Sequence, residues 1–238
     1  MGSQLEVEVW KKASARAATK FVKTGMAVGL GSGTTVTQLI RILAEQRLKA
    51  IFIPSSIATQ KLASELGLEL GSLKDHPKLD LMIDGADEVD PDFNMIKGKG
   101  GAHTREKIVA SAARKVVIVV DRTKLVKRLG ERAPVPVEVL PFEYKFTMTK
   151  LVKLNGKAIL RTTSARAPFV TDNGNYIIDV KFPRISQPAE LEAKVNMVPG
   201  VVENGLFVGV ADEVFVGHDG GCARLKSKRD FLNFILGG

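Results

Sequence analysis

Four short segments of this chain gather the residue types that bind anions or move protons. Gly29-Leu30-Gly31-Ser32-Gly33-Thr34-Thr35 lies between an apolar run and a helical one. Glycines there let the backbone approach a ligand, a helix N-terminus offers unpaired N–H donors, and Ser32, Thr34 and Thr35 add hydroxyls. Such a loop is a phosphate cradle, or a tight strand-to-helix turn that holds nothing. It is not the dinucleotide fingerprint, because the third glycine of G-x-G-x-x-G falls on Thr34, and no Lys-Ser/Thr pair follows to make a P-loop. Asp84-Gly85-Ala86-Asp87-Glu88-Val89-Asp90 places four acids in seven residues after an apolar run. Carboxylates there suit sugar hydroxyls or proton transfer, and a solvated acidic loop is the plain alternative. Oxygen-rich loops also suit Mg²⁺ or Ca²⁺, but the EF-hand spacing is absent and lysines follow, so no metal is expected.

Lys97-Gly98-Lys99-Gly100-Gly101-Ala102-His103-Thr104-Arg105-Glu106-Lys107 sets glycines between a lysine and a helix start. Lys97 and the backbone there are able to approach an anion or a developing oxyanion. Glu106 stands where a first-turn carboxylate often only caps a helix or favours its dipole. The three histidines, His76, His103 and His218, are too dispersed to suggest zinc, and His103 reads as a surface or packing residue. Lys124, in Asp121-Arg122-Thr123-Lys124, is a candidate phosphate partner or a solvated lysine. Cys222 lacks a nucleophile signature and reads as a buried small apolar residue.

These segments need a scaffold, and the hydrophobic pattern supplies one. Apolar residues at helical spacing predict a helix over Leu5–Thr24 (Trp10, Ala13, Ala17, Phe21). Short apolar strands follow at Met26–Leu30, Ala50–Ile53, Leu79–Ile83 and Lys115–Val120, alternating with helices through Leu43, over Ser56–Leu66 and over Thr104–Ala113. That alternation predicts an α/β fold, an open and mainly parallel Rossmann-like sheet with helices on both faces. Its carboxyl edge is where such folds bind ligands, and three of the loops follow strands directly.

Near residue 130 the pattern changes. Ala133-Pro134-Val135-Pro136-Val137 predicts a stiff extended connector. Beyond it come a helix at Phe142–Lys153, strands near Lys157–Arg161 and Phe169–Thr171, a turn at Asp172-Asn173-Gly174-Asn175, a strand at Tyr176–Lys181 and a helix at Pro188–Asn196. Leu206–Val210 and Glu213–Val216 then read as strands of the first sheet. The expected organisation is a discontinuous α/β domain of residues 1–130 and 206–238, with a small α+β domain of residues 131–205 inserted before the C-terminal strands.

Composition bounds the function. The chain has 238 residues, of which 45% are hydrophobic and 26% charged, the balance of a folded globular protein. Lys plus Arg exceed Asp plus Glu by 35 to 26, a net charge of +9. The positive charge is scattered, without interleaved aromatics for base stacking, which argues against nucleic acid and fits an anionic small substrate. One cysteine makes no intramolecular disulfide, no leader opens the chain, and apolar runs fall far short of the ~20 residues of a membrane helix. A soluble, cytoplasmic protein without membrane partners is expected.

Taken together, in this order and spacing, the segments resemble ribose-5-phosphate isomerase of the A type. Pro134-Val135-Pro136-Val137-Glu138-Val139, Val170-Thr171-Asp172-Asn173-Gly174-Asn175 and Pro199-Gly200-Val201-Val202 extend the match to nearly the whole chain. The resemblance implies interconversion of ribose 5-phosphate and ribulose 5-phosphate through an enediolate, without a cofactor, in a homodimer or homotetramer. It implies substrate loops at Ser32, Gly33, Thr34 and Thr35, at Asp84, Gly85, Ala86 and Asp87, and at Lys97, Gly98, Lys99 and Gly100, with Lys124 as a substrate-binding lysine. Glu106 falls on the catalytic base, with Asp84 and Lys97 as further catalytic residues. Lys11 corresponds to another basic residue near the substrate. Lys99 and His103 depart from the glycine and apolar residue of some members. Two rivals differ in class. A sugar-phosphate-sensing module would keep the phosphate loop without needing a base. A coenzyme A transferase would use a glutamate in Ser-Glu-Asn-Gly, of which Val202-Glu203-Asn204-Gly205 is a partial match lacking the serine.

Overall fold

The computed structural model describes residues 3–237. In chain order the elements are α1 (Gln4–Thr19), β1 (Ala27–Leu30), α2 (Thr34–Gln46), β2 (Ile51–Pro54), α3 (Ile57–Glu65), β3 (Leu81–Asp84), β4 (Glu88–Val89), β5 (Met95–Ile96), α4 (His103–Ser111) and β6 (Val116–Asp121). There follow β7 (Val135–Val139), α5 (Tyr144–Val152), β8 (Lys157–Leu160), β9 (Tyr176–Lys181), α6 (Pro188–Asn196), β10 (Val201–Asn204), β11 (Leu206–Phe207), β12 (Glu213–His218), β13 (Gly221–Leu225) and α7 (Lys228–Leu236). No helix among them is long and apolar enough to cross a membrane.

Six strands form the main sheet in the order β13-β12-β6-β3-β1-β2, all parallel except β13. Every residue of β1, β3 and β6 is buried, as expected of parallel strands covered on both faces. Alternate residues divide between two cores. Val28, Leu30, Leu81, Ile83, Val117 and Val119 pack with the apolar faces of α1 and α2. Ala27, Met82, Val116, Ile118 and Val120 pack on the other side with Val109 and Ala110 of α4 and Phe231 of α7. The period of two along each strand thus fixes helices on both faces.

A second sheet, β10-β7-β9-β8, is antiparallel throughout. Val137, Val139, Ile178 and Val180 bury against Leu151 of α5 and Val195 of α6, and Ile96, Val126, Leu129 and Leu206 join that core from outside the 131–205 segment. A three-stranded sheet, β11-β5-β4, adjoins them.

The structure departs from the sequence expectations in four places. Within the expected connector of residues 133–137, Val135 begins β7 (Val135–Val139), an interior strand of the second sheet. Phe169–Thr171 is no strand; Val170 makes only an isolated bridge to Tyr176. Leu206–Val210 does not enter the main sheet, since β11 covers two residues and pairs with β5. Cys222 is half-buried on β13, opposite Gly217, rather than sealed in a core.

Candidate active site

Strand order decides where the loops meet. From β1 the chain moves outward to β2, then returns to the other side of β1 as β3 and continues to β6 and β12. The order reverses between β1 and β3, and at such a switch point the loops leaving the two strands diverge and open a crevice at the carboxyl edge. The loop after β1 carries Ser32–Thr35 and the end of β3 carries Asp84. Their closeness is built in: a Cβ on Gly31 would lie 1.8 Å from Asp84 Oδ1, so only glycine fits there. Asp84 Oδ1 accepts from the N–H of Ser32 at 3.1 Å and of Gly85 at 2.7 Å.

Beneath the crevice lies a buried charge cluster. Lys97 Nζ sits 2.9 Å from Asp84 Oδ2 and 3.1 Å from Glu106 Oε2, and donates to the Gly85 carbonyl at 2.6 Å. Lys97 follows β5 and Glu106 lies in the first turn of α4, so separate elements deliver the partners. All three side chains are at most 5% exposed. Burial, reinforced by the Asp84 charge and opposed by Lys97, pushes the Glu106 carboxyl up to about 8. Burial likewise raises Asp84 against the pull of Lys97. Burial alone would lower the Lys97 ammonium, but the two carboxylates beside it hold it above its usual range. One ammonium serves two carboxylates, and a base poised near neutrality is the consequence.

The first loop opens α2. Gly33 is its N-cap at φ +99, a conformation that suits glycine, and Thr34 and Thr35 form its first turn. Ser32 Oγ lies in a cluster of hydroxyls the sequence reading did not single out: Ser56 Oγ at 2.9 Å, Ser55 Oγ at 3.3 Å and Thr59 Oγ1 at 3.4 Å. Ser56, where the predicted helix over Ser56–Leu66 begins, caps α3 with its hydroxyl. Asp87 Oδ2 accepts from the N–H of Lys99 at 2.9 Å, which ties the second loop to the third.

Asp87, Lys99 and Lys124 share the wall of a cleft of about 1180 Å³ that the second sheet closes with Pro136, Arg161 and Asp179. Asp84, Lys97 and Glu106 are not on that wall; Asp87 and Lys99 link the open cleft to the buried cluster. Lys124 ends a single 3₁₀ turn after β6, held by Asp121, and makes no ion pair with any described residue. Lys11, by contrast, pairs with Glu8 at 2.7 Å on α1 and is not part of the cleft wall.

Two other residues are accounted for structurally. His103 is fully buried at the start of α4, its Nε2 3.3 Å from the Glu203 carbonyl, and burial lowers it to about 4, so it packs as a neutral ring. Glu203, the glutamate of the partial transferase motif, accepts from Lys107 at 2.9 Å, Asn196 at 2.9 Å and its neighbour Asn204 at 2.8 Å. A carboxylate so occupied braces α4, α6 and β10 and is not presented as a nucleophile.

The chain as a whole resembles known proteins. Positions 51–221 match the family model described as ribose 5-phosphate isomerase A (phosphoriboisomerase A). The chain is 48% identical over 217 residues to the ribose-5-phosphate isomerase A of Thermosynechococcus vestitus, covering 89% of this chain and 92% of that protein. It is 44% identical over 228 residues to that of Pyrococcus furiosus, covering 93% and 100%. Among solved structures it resembles a D-ribose-5-phosphate isomerase in complex with phospho-erythronic acid, with TM-score 0.90, 42% identity and coverage of 92% and 99%. The ribose 5-phosphate isomerase A of Methanocaldococcus jannaschii matches with TM-score 0.87, 43% identity and coverage of 92% and 98%.

Proposed function

Since the chain belongs to the ribose 5-phosphate isomerase A family and is an isomerase of ribose 5-phosphate and ribulose 5-phosphate, we propose that Glu106 is its catalytic base, working beside Lys97 and Asp84. The observation that carries this assignment is the buried Lys97 ammonium between two carboxylates, one of them raised to about 8. In the open-chain aldehyde, ionised Glu106 takes the proton from C2. The C–H electrons form the C1–C2 double bond, and the carbonyl electrons move onto O1. The same carboxyl returns the proton to C1, and the O2 proton passes to O1. Asp84 and Asp87 hold sugar hydroxyls, and Asp84 assists ring opening. Lys97 donates to the Gly85 carbonyl and pairs ionically with Asp84 and Glu106. It acts on the enediolate through its nearby charge, while the Gly100 backbone N–H, which donates to no described residue, supplies a hydrogen bond.

Phosphate binding falls to Ser32, Gly33, Thr34, Thr35 and Lys124. That remote anchor supplies binding energy that positions C1 and C2. A charge-assisted contact is worth roughly 1.5–3 kcal/mol, so Lys124→Ala is expected to lower kcat/KM about 10- to 150-fold, chiefly through KM. Steady-state kinetics test this, and an unchanged KM would make Lys124 a surface lysine. Among the described residues no three His, Cys, Asp or Glu side chains are grouped to share a metal. Turnover of ribose 5-phosphate in EDTA is accordingly expected to equal that without it. Loss on chelation, restored by a divalent ion, would make the Asp84–Asp90 loop a metal site.

The division into residues 1–130 with 206–238, and 131–205, goes with the two sheets and their separate cores, although Ile96, Val126, Leu129 and Leu206 contribute to the smaller core. A homodimer or homotetramer is supported by exposed apolar side chains such as Phe142 and Phe146, 83% and 57% exposed, and light scattering on the purified protein tests it. A cytoplasmic place in the non-oxidative pentose phosphate pathway is supported by the reaction and by the free Cys222. Phospho-erythronic acid, a four-carbon acid whose carboxylate puts two oxygens on one planar carbon, resembles the enediolate and is expected to compete with ribose 5-phosphate.

A further inference from the structure

The third loop is held in shape from outside the main sheet, by a residue with no motif around it. Arg161 follows β8, and its guanidinium reaches the loop with four of its five N–H donors assigned. Nε donates to Asp179 Oδ2 at 2.8 Å and Nη2 donates to Asp179 Oδ1. Nη1 donates to the carbonyls of Gly98 and Lys99, 2.9 Å each. The pair is mostly buried, with side chains 15% and 23% exposed. The guanidinium also lies 5.7 Å from the centre of the Phe169 ring. That ring fills the space beside Gly101, where a Cβ would come within 2.5 Å of it. The Gly101 N–H closes the turn onto the Gly98 carbonyl at 3.0 Å.

Peptide geometry turns this clamp into an aim. No peptide bond in the described chain is cis, and in a trans peptide the C=O and the next N–H point in opposite directions. With the Gly98 and Lys99 carbonyls fixed on Arg161, the N–H groups of Lys99 and Gly100 face away from it. The first reaches Asp87 Oδ2 at 2.9 Å. The second donates to no described residue and lies on exposed backbone. We propose that Arg161, locked by Asp179, is a positioning residue for the isomerisation: it orients the Lys97–Gly100 loop so that the free Gly100 N–H meets an oxygen of the enediolate.

This inference rests on the enediolate reading above. An isolated loop of three glycines would lose that aim in the many conformations open to it, because glycine restricts the backbone least. The bidentate Asp179 contact fixes the plane of the guanidinium, and a lysine is unable to hold a carboxylate fork and two carbonyls at once.

The test compares wild type with Arg161→Ala, Arg161→Lys and Asp179→Asn. The readouts are kcat, KM, thermal midpoint, and affinity for phospho-erythronic acid and for inorganic phosphate. A removed oxyanion donor costs about 10²–10³-fold in kcat, and a donor still present but misaimed costs less. Arg161→Ala is expected to lower kcat about 10- to 100-fold, to keep KM within about threefold, and to weaken phospho-erythronic acid by a factor similar to that in kcat. Inorganic phosphate should bind as before, and millimolar guanidinium should restore part of kcat. Arg161→Lys and Asp179→Asn should move the same quantities in the same direction. If Arg161→Ala does not fold, Arg161→Lys carries the test. Wild-type kcat in the variants, or a kcat loss matched by weaker phosphate binding and not relieved by guanidinium, would overturn the proposal. Wild-type protein that makes no ketose from ribose 5-phosphate would overturn the enediolate reading itself.

Discussion

Replacing Lys97 by methionine is expected to destabilise the protein by about 3–5 kcal/mol and to cut kcat about 10²–10³-fold. Methionine keeps much of the volume of the lysine stem but leaves Asp84 and Glu106 buried without their shared counter-ion. Two carboxylates in one dry site push each other's protonation upward, so Glu106, already raised to about 8, moves further from the ionised form it needs. The stability loss should therefore be largest above pH 8, where both carboxyls are forced to ionise, and should shrink as pH falls and they take up protons. Urea unfolding across pH measures this. A Lys97→Met, Asp84→Asn double variant separates the two effects: it should regain stability, having one fewer buried charge, without regaining turnover. Wild-type stability in Lys97→Met at pH 9 would show that the two buried carboxylates do not depend on Lys97 as their counter-ion.

How much of this was legible in the sequence depended on length scale. The strands β1, β3 and β6 announced themselves as apolar runs because both faces of a parallel sheet are covered. The loops that follow them fell at the predicted sheet edge for the same reason. The strands β4 and β5, two residues each, are too short to show any period, and β11, read within Leu206–Val210, was given to the wrong sheet. The strand β7 was hidden by Pro136, since proline ordinarily avoids interior strands. Here β10 ends opposite Val137, and Pro136 accepts a hydrogen bond from the Gly205 N–H at 2.7 Å, a part that needs only its carbonyl. Glu106 was visible as a first-turn acid, but nothing in its neighbours reported that it would be buried against Lys97. Arg161 was invisible for a related reason: its contact with Lys99 spans 62 residues, and no local pattern encodes a partner that distant. The hydroxyl cluster of Ser55, Ser56 and Thr59 was not legible because the strand order that brings it to Ser32 is a tertiary fact.

Glu106→Gln is expected to lower kcat about 10²–10⁴-fold, roughly 3–5 kcal/mol of barrier, while the fold survives. Glutamine is nearly isosteric and fills the same buried site but does not accept the C2 proton. A carboxylate that served only the helix start would instead cost ~0.3–1 kcal/mol of stability and leave turnover nearly normal. The pH behaviour separates these readings further. In wild type kcat/KM should rise with pH and level off near 8, because the base has to be ionised and burial holds its proton up to about that value. Stability runs the other way. The folded state keeps this proton to about 8 while the carboxyl of an unfolded chain releases it near 4.5. Through that window the native state binds more protons, so rising pH removes wild-type stability. Glutamine has no such proton to lose. The thermal midpoint of Glu106→Gln relative to wild type should therefore climb from pH 5 to pH 8 and flatten above it, even as its activity stays low throughout. A variant that keeps more than about a tenth of wild-type kcat would fall outside the range of a lost general base and move the assignment to Asp84. A midpoint difference that stays flat with pH would show that Glu106 titrates in the ordinary carboxylate range, and that the base is not held poised by burial.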